Sequence, residues 1–419
     1  MRASRMITAL SIGGALGAGI AWVWRHQGAI GVRRPVNEWT FTHMSRIMPV
    51  QIVRSAPRMP LPRDRFPLEH VVRYGAAPGR PIAALFDRNH VTSMVVLHRG
   101  RVVQESYPGR FASPEARFQL FSLTKSVTSL LVGIAHEDGD LPDLGATVAS
   151  FLPELSDSAY AEVTVQELLD MRSGVGGAEV WTDPEALILA YERAVMNGGS
   201  VFDVIRNAPR VRPAGTAFNY STVDTHVLGW VLEAAVGTPI ADYLGEKIWR
   251  PIGAESDAFY FLSRATPRTA LGGGSLNATT MDLARVGLLV AQGGVWEGQR
   301  IVPEAWIERC RDAGIPELAV GALDPELYPP AYGYSNQWWT FGGAHRAVTG
   351  LGVHGQFLFV DPVAGVVVAV TGAWDSADDD ARDAEMREAM LAITEALEAR
   401  EATGEFAPRG SAPGVGGAG

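Results

Sequence analysis

The chain predicts an α+β fold: an antiparallel sheet built from distant N- and C-terminal segments, flanked by helices, with a mainly helical region inserted between them. Three observations predict it. Residues 94–107 form a strand pair turning at Arg99-Gly100. Residues 356–370 form a second pair turning at Pro362 to Gly365. Between the two pairs, apolar residues recur mostly at helical spacing.

The 419 residues are 47% hydrophobic and 20% charged, the composition of a globular protein with a sizeable core. A net charge of −10 and the lack of lysine-rich runs argue against a nucleic-acid partner. The single cysteine, Cys310, has no internal disulfide partner and reads as a packed thiol.

The elements follow in order. An uncharged run from Met6 to Trp24 has Arg2 and Arg5 before it and Arg25 after it. It is long enough to span a bilayer, and Trp22-Val23-Trp24-Arg25 resembles an interfacial belt. Residues 1–26 are therefore expected to be a membrane anchor with the body outside the cytoplasm, as in a periplasm. Its rivals are a signal peptide cleaved near Gly19-Ile20-Ala21, giving a secreted protein, and a body facing the cytoplasm, which Arg25, Arg33 and Arg34 favour. Residues 27–75, rich in Pro and Arg, read as a linker or wrapping arm. The sheet domain is assigned to residues 76–118 and 278–402, and the mainly helical domain to 119–277.

Within the helical region, residues 122–137 carry apolar positions at 123, 127, 130, 131, 134 and 135 and stop at Gly139. Further helices are expected over 163–171, 224–236, 280–292 and 303–313, with a long C-terminal helix over 380–401. Residues 403–419 are Gly, Ala and Pro in the main, a disordered tail. The segments 175–200 and 314–340 read as loops. Within the second, the aromatic run from Tyr332 to Phe341 fits either a buried strand or the wall of an apolar acyl site.

The chemistry starts from a lysine. Of 36 basic residues only Lys125 and Lys247 are lysine; the rest are arginine. Arginine does not lose its proton in a protein, whereas a buried lysine does. Lys125 lies one helical turn after Ser122, on the same face. The first turns of a helix further disfavour an ammonium, and backbone N–H groups there can hold an oxyanion. Ser122 and Lys125 are thus candidate nucleophile and base. Ser122, Lys125, Ser126 and Ser129 form a polar stripe expected to lie away from the core face. A turn at Pro213 and Gly215 precedes a helix near Asp224, and Tyr220 between them is placed to enter a cleft and move a proton. An ordinary half-buried tyrosine is the alternative.

Ser122-Leu-Thr-Lys125, the segment from Val163 to Gly174, Pro213-Ala-Gly through Tyr220-Ser-Thr, Gly272 to Arg285 and Gly352 to Pro362 occur in this order. Together they resemble the serine β-lactamase-related hydrolases, over about residues 80–400. Within them the pattern is similar to the 6-aminohexanoate-dimer hydrolases and class C-like carboxylesterases. The resemblance implies a β-lactamase/transpeptidase-like fold, Ser122 as nucleophile, Lys125 as base and Tyr220 as proton relay. It implies an oxyanion hole from the amides of Ser122 and Val353. The family's Tyr-x-Asn motif has Thr222 in its third place here. Its Lys-Thr-Gly motif falls near Gly350-Leu351-Gly352, without a lysine.

That missing lysine argues against a true β-lactamase or D,D-peptidase. His345, Arg346 and His354 are candidate replacements for the charge, each equally a packed or solvated residue. Trp181 and Asp183 are candidates for the cleft mouth, or parts of a plain loop. Thr222, Asn277 and Gly352 are further candidate substrate contacts, with Asn277 alternatively capping the helix at 280. No Gly-x-Ser-x-Gly elbow occurs. No metal-ligand spacing is present and no cofactor is implied. Three readings remain: a hydrolase of small esters or linear amides, a penicillin-recognising enzyme, and a catalytically silent membrane-tethered binding protein.

Overall fold

The computed structural model describes residues 31–56, 60–312 and 314–404. The expected anchor at residues 1–26, and the expected tail beyond Gly404, lie outside them. Among the described residues no single helix is long and apolar enough to cross a membrane.

A seven-stranded antiparallel sheet forms the frame. In chain order its strands are β1 (Val91–His98), β2 (Arg101–Ser106), β3 (Gly333–Ser335), β4 (Trp338–Thr340), β5 (Val348–Gly352), β6 (Gln356–Asp361) and β7 (Val366–Gly372). In space they run β3-β4-β5-β6-β7-β1-β2, so the N-terminal hairpin closes onto the C-terminal one through β7 and β1. Both expected hairpins are present. Arg99 and Gly100 take φ of 48° and 75°, the left-handed pair that a two-residue turn requires. The second turn is held by the Asp361 carboxylate, which accepts from the amides of Val363 and Ala364.

β1, β6 and β7 are buried along their whole length, so their sequences are nearly continuous apolar runs. The pleat still sorts their side chains. Val95, Leu97, Leu358, Val360, Val367 and Ala369 face the core shared with the helical region. Met94, Val96, Phe357, Phe359, Val366 and Val368 face a second core closed by the C-terminal helix α4 (Asp380–Ala402), through Met386, Met390, Ile393 and Leu397. On the first face lies α3 (Thr280–Ala291). A Cβ on Gly287 would meet Val367 at 2.5 Å, so glycine lets this helix sit down on the sheet.

The helical region is built around α1 (Thr124–Asp138) and α2 (Thr222–Val236). Each ends at a left-handed glycine, Gly139 and Gly237. A capping box at Thr164 and Glu167 opens the short helix Val165–Leu169. Helices Leu187–Asn197, Val201–Arg206 and Ile240–Leu244 fall where the sequence reading places no helix. Their apolar spacing is present, but prolines and paired glycines close to their ends break the pattern into short windows.

The structure also departs from the expectation of one sheet. A second, four-stranded antiparallel sheet pairs Val50–Val53, Ala258–Phe261, Leu276–Ala278 and Phe118–Gln119 in that order. Segments of two to four residues are too short for a periodic signal. Val50–Val53 is the edge strand of this layer, whereas Leu68, Val72 and Tyr74 pack into the second core. Phe41, Met44, Met48 and Val53 are buried, and Asn37 donates to the carbonyls of Ala373 and Trp374.

β5 meets the start of α1 at very short range. A Cβ on Gly350 would lie 3.0 Å from Ser126 Oγ, and one on Gly352 would lie 2.4 Å from the Leu120 carbonyl. Gly352→Ala is therefore expected to force the strand off the helix and to cost about 2 kcal/mol or more of stability. A melting temperature unchanged from the parent would contradict this packing.

Candidate active site

The strand Phe118–Gln119 delivers the chain to Phe121, whose φ of 48° is rare for a bulky residue. Such a conformation costs about 1–3 kcal/mol and survives only where the surroundings impose it. Here Phe121 packs edge-on against Phe41, with ring centroids 4.8 Å apart, and beside His354 at 5.4 Å. The chain then makes one 3-10 turn, Phe121–Leu123, and enters α1. Ser122 emerges from that turn onto the cleft.

Lys125, one turn on, is 1% exposed. Its Nζ lies 2.8 Å from Ser122 Oγ, 2.9 Å from Thr222 Oγ1 and 2.8 Å from the Gly273 carbonyl. An ammonium donates to all three oxygens. A neutral amine donates to Thr222 and Gly273 and accepts the Ser122 hydroxyl proton. Burial pushes the Lys125 pKa down to about 8, against the pull of Glu179, Glu192 and Asp224. Gly273 can reach in because a Cβ there would meet the Thr222 carbonyl at 2.7 Å.

The Tyr220 ring lies over the same amine, with Nζ 4.9 Å from its centroid. It stacks on Trp339 at 5.4 Å. Its backbone N–H donates to the Tyr328 hydroxyl at 3.1 Å. Burial raises the Tyr220 phenol well above its ordinary value, with Glu179 adding to the rise and a hydrogen bond with the Ser122 hydroxyl opposing it. The phenol is therefore protonated at neutral pH. Tyr220, distant in sequence, thus joins Ser122 on the cleft wall, with Lys125 buried beside both.

The cleft has a volume of about 190 Å³. Trp181, Gly352 and Val353 border it, where the sequence reading puts them. Trp339 and Tyr332 wall it while sitting in or beside short buried strands, so the aromatic run is buried strand and cleft wall at once. Thr222 takes a different place from the expected substrate contact: its hydroxyl is engaged by Lys125 and by Glu179. Asn277 does not reach the cleft. It is fully buried in the second sheet, its side chain donates to the Ser275 carbonyl, and the helix cap is Thr279.

The candidate replacement cations are also elsewhere. His345 pairs with Asp361 at 2.7 Å and faces Glu398, and Arg346 pairs with Glu308. His354 is buried beneath Phe121, with Nδ1 3.0 Å from the Trp374 carbonyl. Asp183 turns its carboxylate to the Glu185 amide. Among the described residues no Lys, Arg or His borders the cleft, while Glu179, Asp378, Asp379, Asp380 and Asp383 do. No group of described residues has the make-up to hold a metal ion.

The polar stripe of α1 is buried rather than facing solvent. Ser126 donates to the Gln337 carbonyl, and Ser129 meets the Cys310 thiol and the Trp306 indole N–H. Cys310 is a packed thiol as expected, and burial pushes it up to about 12.

Two residues at the site have no counterpart among the sequence candidates. Glu179 accepts from both the amide and the hydroxyl of Thr222. Tyr328 buttresses Tyr220. Both lie in segments read as loops; Trp181, two residues from Glu179, was the nearest signal.

Known proteins resemble this chain in sequence and fold. A family model described as Beta-lactamase matches residues 82–391. The 6-aminohexanoate-dimer hydrolase of Paenarthrobacter ureafaciens is 29% identical over 353 residues, 82% of this chain and 87% of that protein. Esterase EstB of Burkholderia gladioli is 29% identical over 178 residues, 39% of this chain and 44% of that one. Among solved structures, a Bacillus anthracis protein provisionally named a 6-aminohexanoate-dimer hydrolase superposes with a TM-score of 0.79 at 24% identity, covering 88% of this chain and 96% of that one.

Tyr328→Phe removes the acceptor of the Tyr220 amide without changing the ring. It is expected to cost about 1 kcal/mol of stability and to lower kcat while KM stays close to the parental value. Parental kcat would show that this contact does not place Tyr220.

Proposed function

The chain belongs to the beta-lactamase family, and from that premise we propose that it is a serine hydrolase cleaving a linear amide or small ester through an acyl-enzyme on Ser122. The observation that carries the proposal is the 2.8 Å contact between a buried Lys125 amine and the Ser122 hydroxyl at the wall of an open cleft. An isolated surface serine and lysine would have neither the burial nor the lowered amine pKa.

In the proposed reaction the Ser122 hydroxyl passes its proton to neutral Lys125 as Oγ bonds to the substrate carbonyl carbon. The carbonyl electron pair moves to oxygen, and the amides of Ser122 and Val353 are the proposed donors to that oxyanion. Tyr220, kept as a phenol by burial, donates its proton to the leaving amine or alkoxide, and the Lys125 ammonium returns one to the phenolate. A water molecule then attacks the acyl-Ser122 ester and frees the acid.

The cleft charge bears on substrate class. With five acidic residues on its border and no described cation, it favours neutral or cationic substrates and disfavours those bearing a carboxylate beside the scissile bond. This weighs against the penicillin-recognising reading. The P. ureafaciens and B. gladioli relatives, named for a hydrolase of 6-aminohexanoate dimer and an esterase, support the amide and ester classes.

Ser122→Ala is expected to abolish turnover of p-nitrophenyl esters and short linear amides and to abolish fluorophosphonate labelling. A variant still working near the parental rate would refute the assignment. Because Lys125 must be neutral to accept a proton and its pKa is about 8, only about a tenth of it is competent at pH 7. The value of kcat/KM should therefore climb between pH 6 and 9 with a midpoint near 8; a profile flat over that range would remove Lys125 as the base.

A further inference from the structure

The first charge Lys125 meets beyond its own hydrogen bonds belongs to Glu179. The Glu179 carboxylate accepts from the Thr222 amide through one oxygen and from the Thr222 hydroxyl, at 3.1 Å, through the other. That same hydroxyl accepts from Lys125 Nζ at 2.9 Å. Carboxylate, hydroxyl, amine and Ser122 hydroxyl thus form one continuous chain of hydrogen bonds. Thr222 stands where the family's Tyr-x-Asn motif has an asparagine, whose amide would offer both a donor and an acceptor. A threonine hydroxyl has one proton to give, and here it gives it to Glu179.

We propose that Glu179 is the charge partner of Lys125, acting through the Thr222 hydroxyl to hold the amine in place and to stabilise the ammonium formed when Ser122 gives up its proton. The inference rests on the acyl-enzyme reading above. In the acylation step the Ser122 proton moves to Lys125 Nζ, the Oγ–carbon bond forms and the carbonyl pair goes to oxygen; Glu179 takes no proton and stays a carboxylate. The arrangement is the one by which a buried aspartate stabilises the imidazolium of a serine–histidine pair, with a hydroxyl interposed. Glu179 is a positioning residue in this role.

The other charges around the pair do not offer the same link. Asp224 is fully buried, and one of its oxygens accepts from Tyr160 and Ser173; burial pushes it up to about 7, so it holds its proton through much of the neutral range. Glu192 is likewise pushed up to about 7, and no hydrogen bond joins it to Lys125 or Thr222. Asp378 lines the same cleft and its charge raises the Glu179 carboxyl further. His226 is held neutral by burial, its pKa pushed down to about 3. Tyr220 and Tyr328 are phenols raised by burial. Burial also raises the Glu179 carboxyl, while Lys125 and the two Thr222 donors draw it back down.

The test compares Glu179→Gln, Glu179→Asp, Thr222→Val and the Glu179→Gln/Thr222→Val pair with the parent and with Ser122→Ala. The full chain is used, and kcat and KM are followed from pH 5 to 10 on a p-nitrophenyl ester. Removing a negative charge near Lys125 lowers its pKa, so in Glu179→Gln the acid limb of kcat/KM should move down by about one pH unit. The plateau should fall about tenfold or more through kcat, with KM within about twofold of the parent. Glu179→Asp should recover part of the loss. Thr222→Val should lose a similar factor, and the double variant little more than either single one. A Glu179→Gln profile with parental limb and plateau overturns the inference, as does a loss carried by KM alone, which would make Glu179 a substrate contact. If Ser122→Ala is inactive in the same experiment, only the Glu179 inference falls; if Ser122→Ala is active, the acyl-enzyme reading falls and takes this inference with it.

Discussion

One buried amine organises this protein's chemistry. Taking a lysine out of water costs several kcal/mol unless its hydrogen bonds are replaced, and Lys125 has three oxygens in place of water. Those oxygens come from three separate stretches of chain: the turn before α1, the start of α2, and the glycine loop before the strand Leu276–Ala278. Each must be held to a fraction of an ångström, because the same contacts that make burial tolerable set whether the amine is charged. The pKa near 8 is the balance of that desolvation against the surrounding carboxylates.

The rest of the fold supplies the closeness this demands. Glycines at 273, 350 and 352 stand where any side chain would collide with Thr222, Ser126 or Leu120. The seven-stranded sheet, packed on both faces, gives β5 a rigid bed on which to press against α1. The unfavourable backbone of Phe121 is imposed from two directions, by Phe41 from the N-terminal arm and by His354 from the loop after β5. The arm thereby contributes to the turn that carries Ser122, although it is far from it in sequence.

The charge pattern of the cleft is the other side of the same design. The family motif that would place a lysine opposite Ser122 is here a glycine-leucine-glycine strand end, and the nearby histidines and arginine are spent on other partners. His345 sits against Asp361, Arg346 against Glu308, and His354 serves as packing under Phe121. A cleft bordered by carboxylates and aromatic rings remains.

Much of this was legible in the sequence, for local reasons. A serine and one of two lysines a helical turn apart, hairpins marked by turn residues, and helices marked by period and terminal glycine all follow from short-range rules. These determined the α+β fold, the order of its main elements and the pairing of Ser122 with Lys125. What only the tertiary structure decided is which lone polar residues reach the cleft. Asn277 and His354 had plausible positions along the chain but are turned inward, one by the strand that carries it and the other by the loop after β5. Glu179, in a segment without period or motif, arrives beside Thr222 because loop and helix are brought together across more than forty residues of chain. Sequence spacing fixes neighbours within a turn of helix or a hairpin; contacts between distant segments depend on how whole layers pack, and no local pattern encodes that.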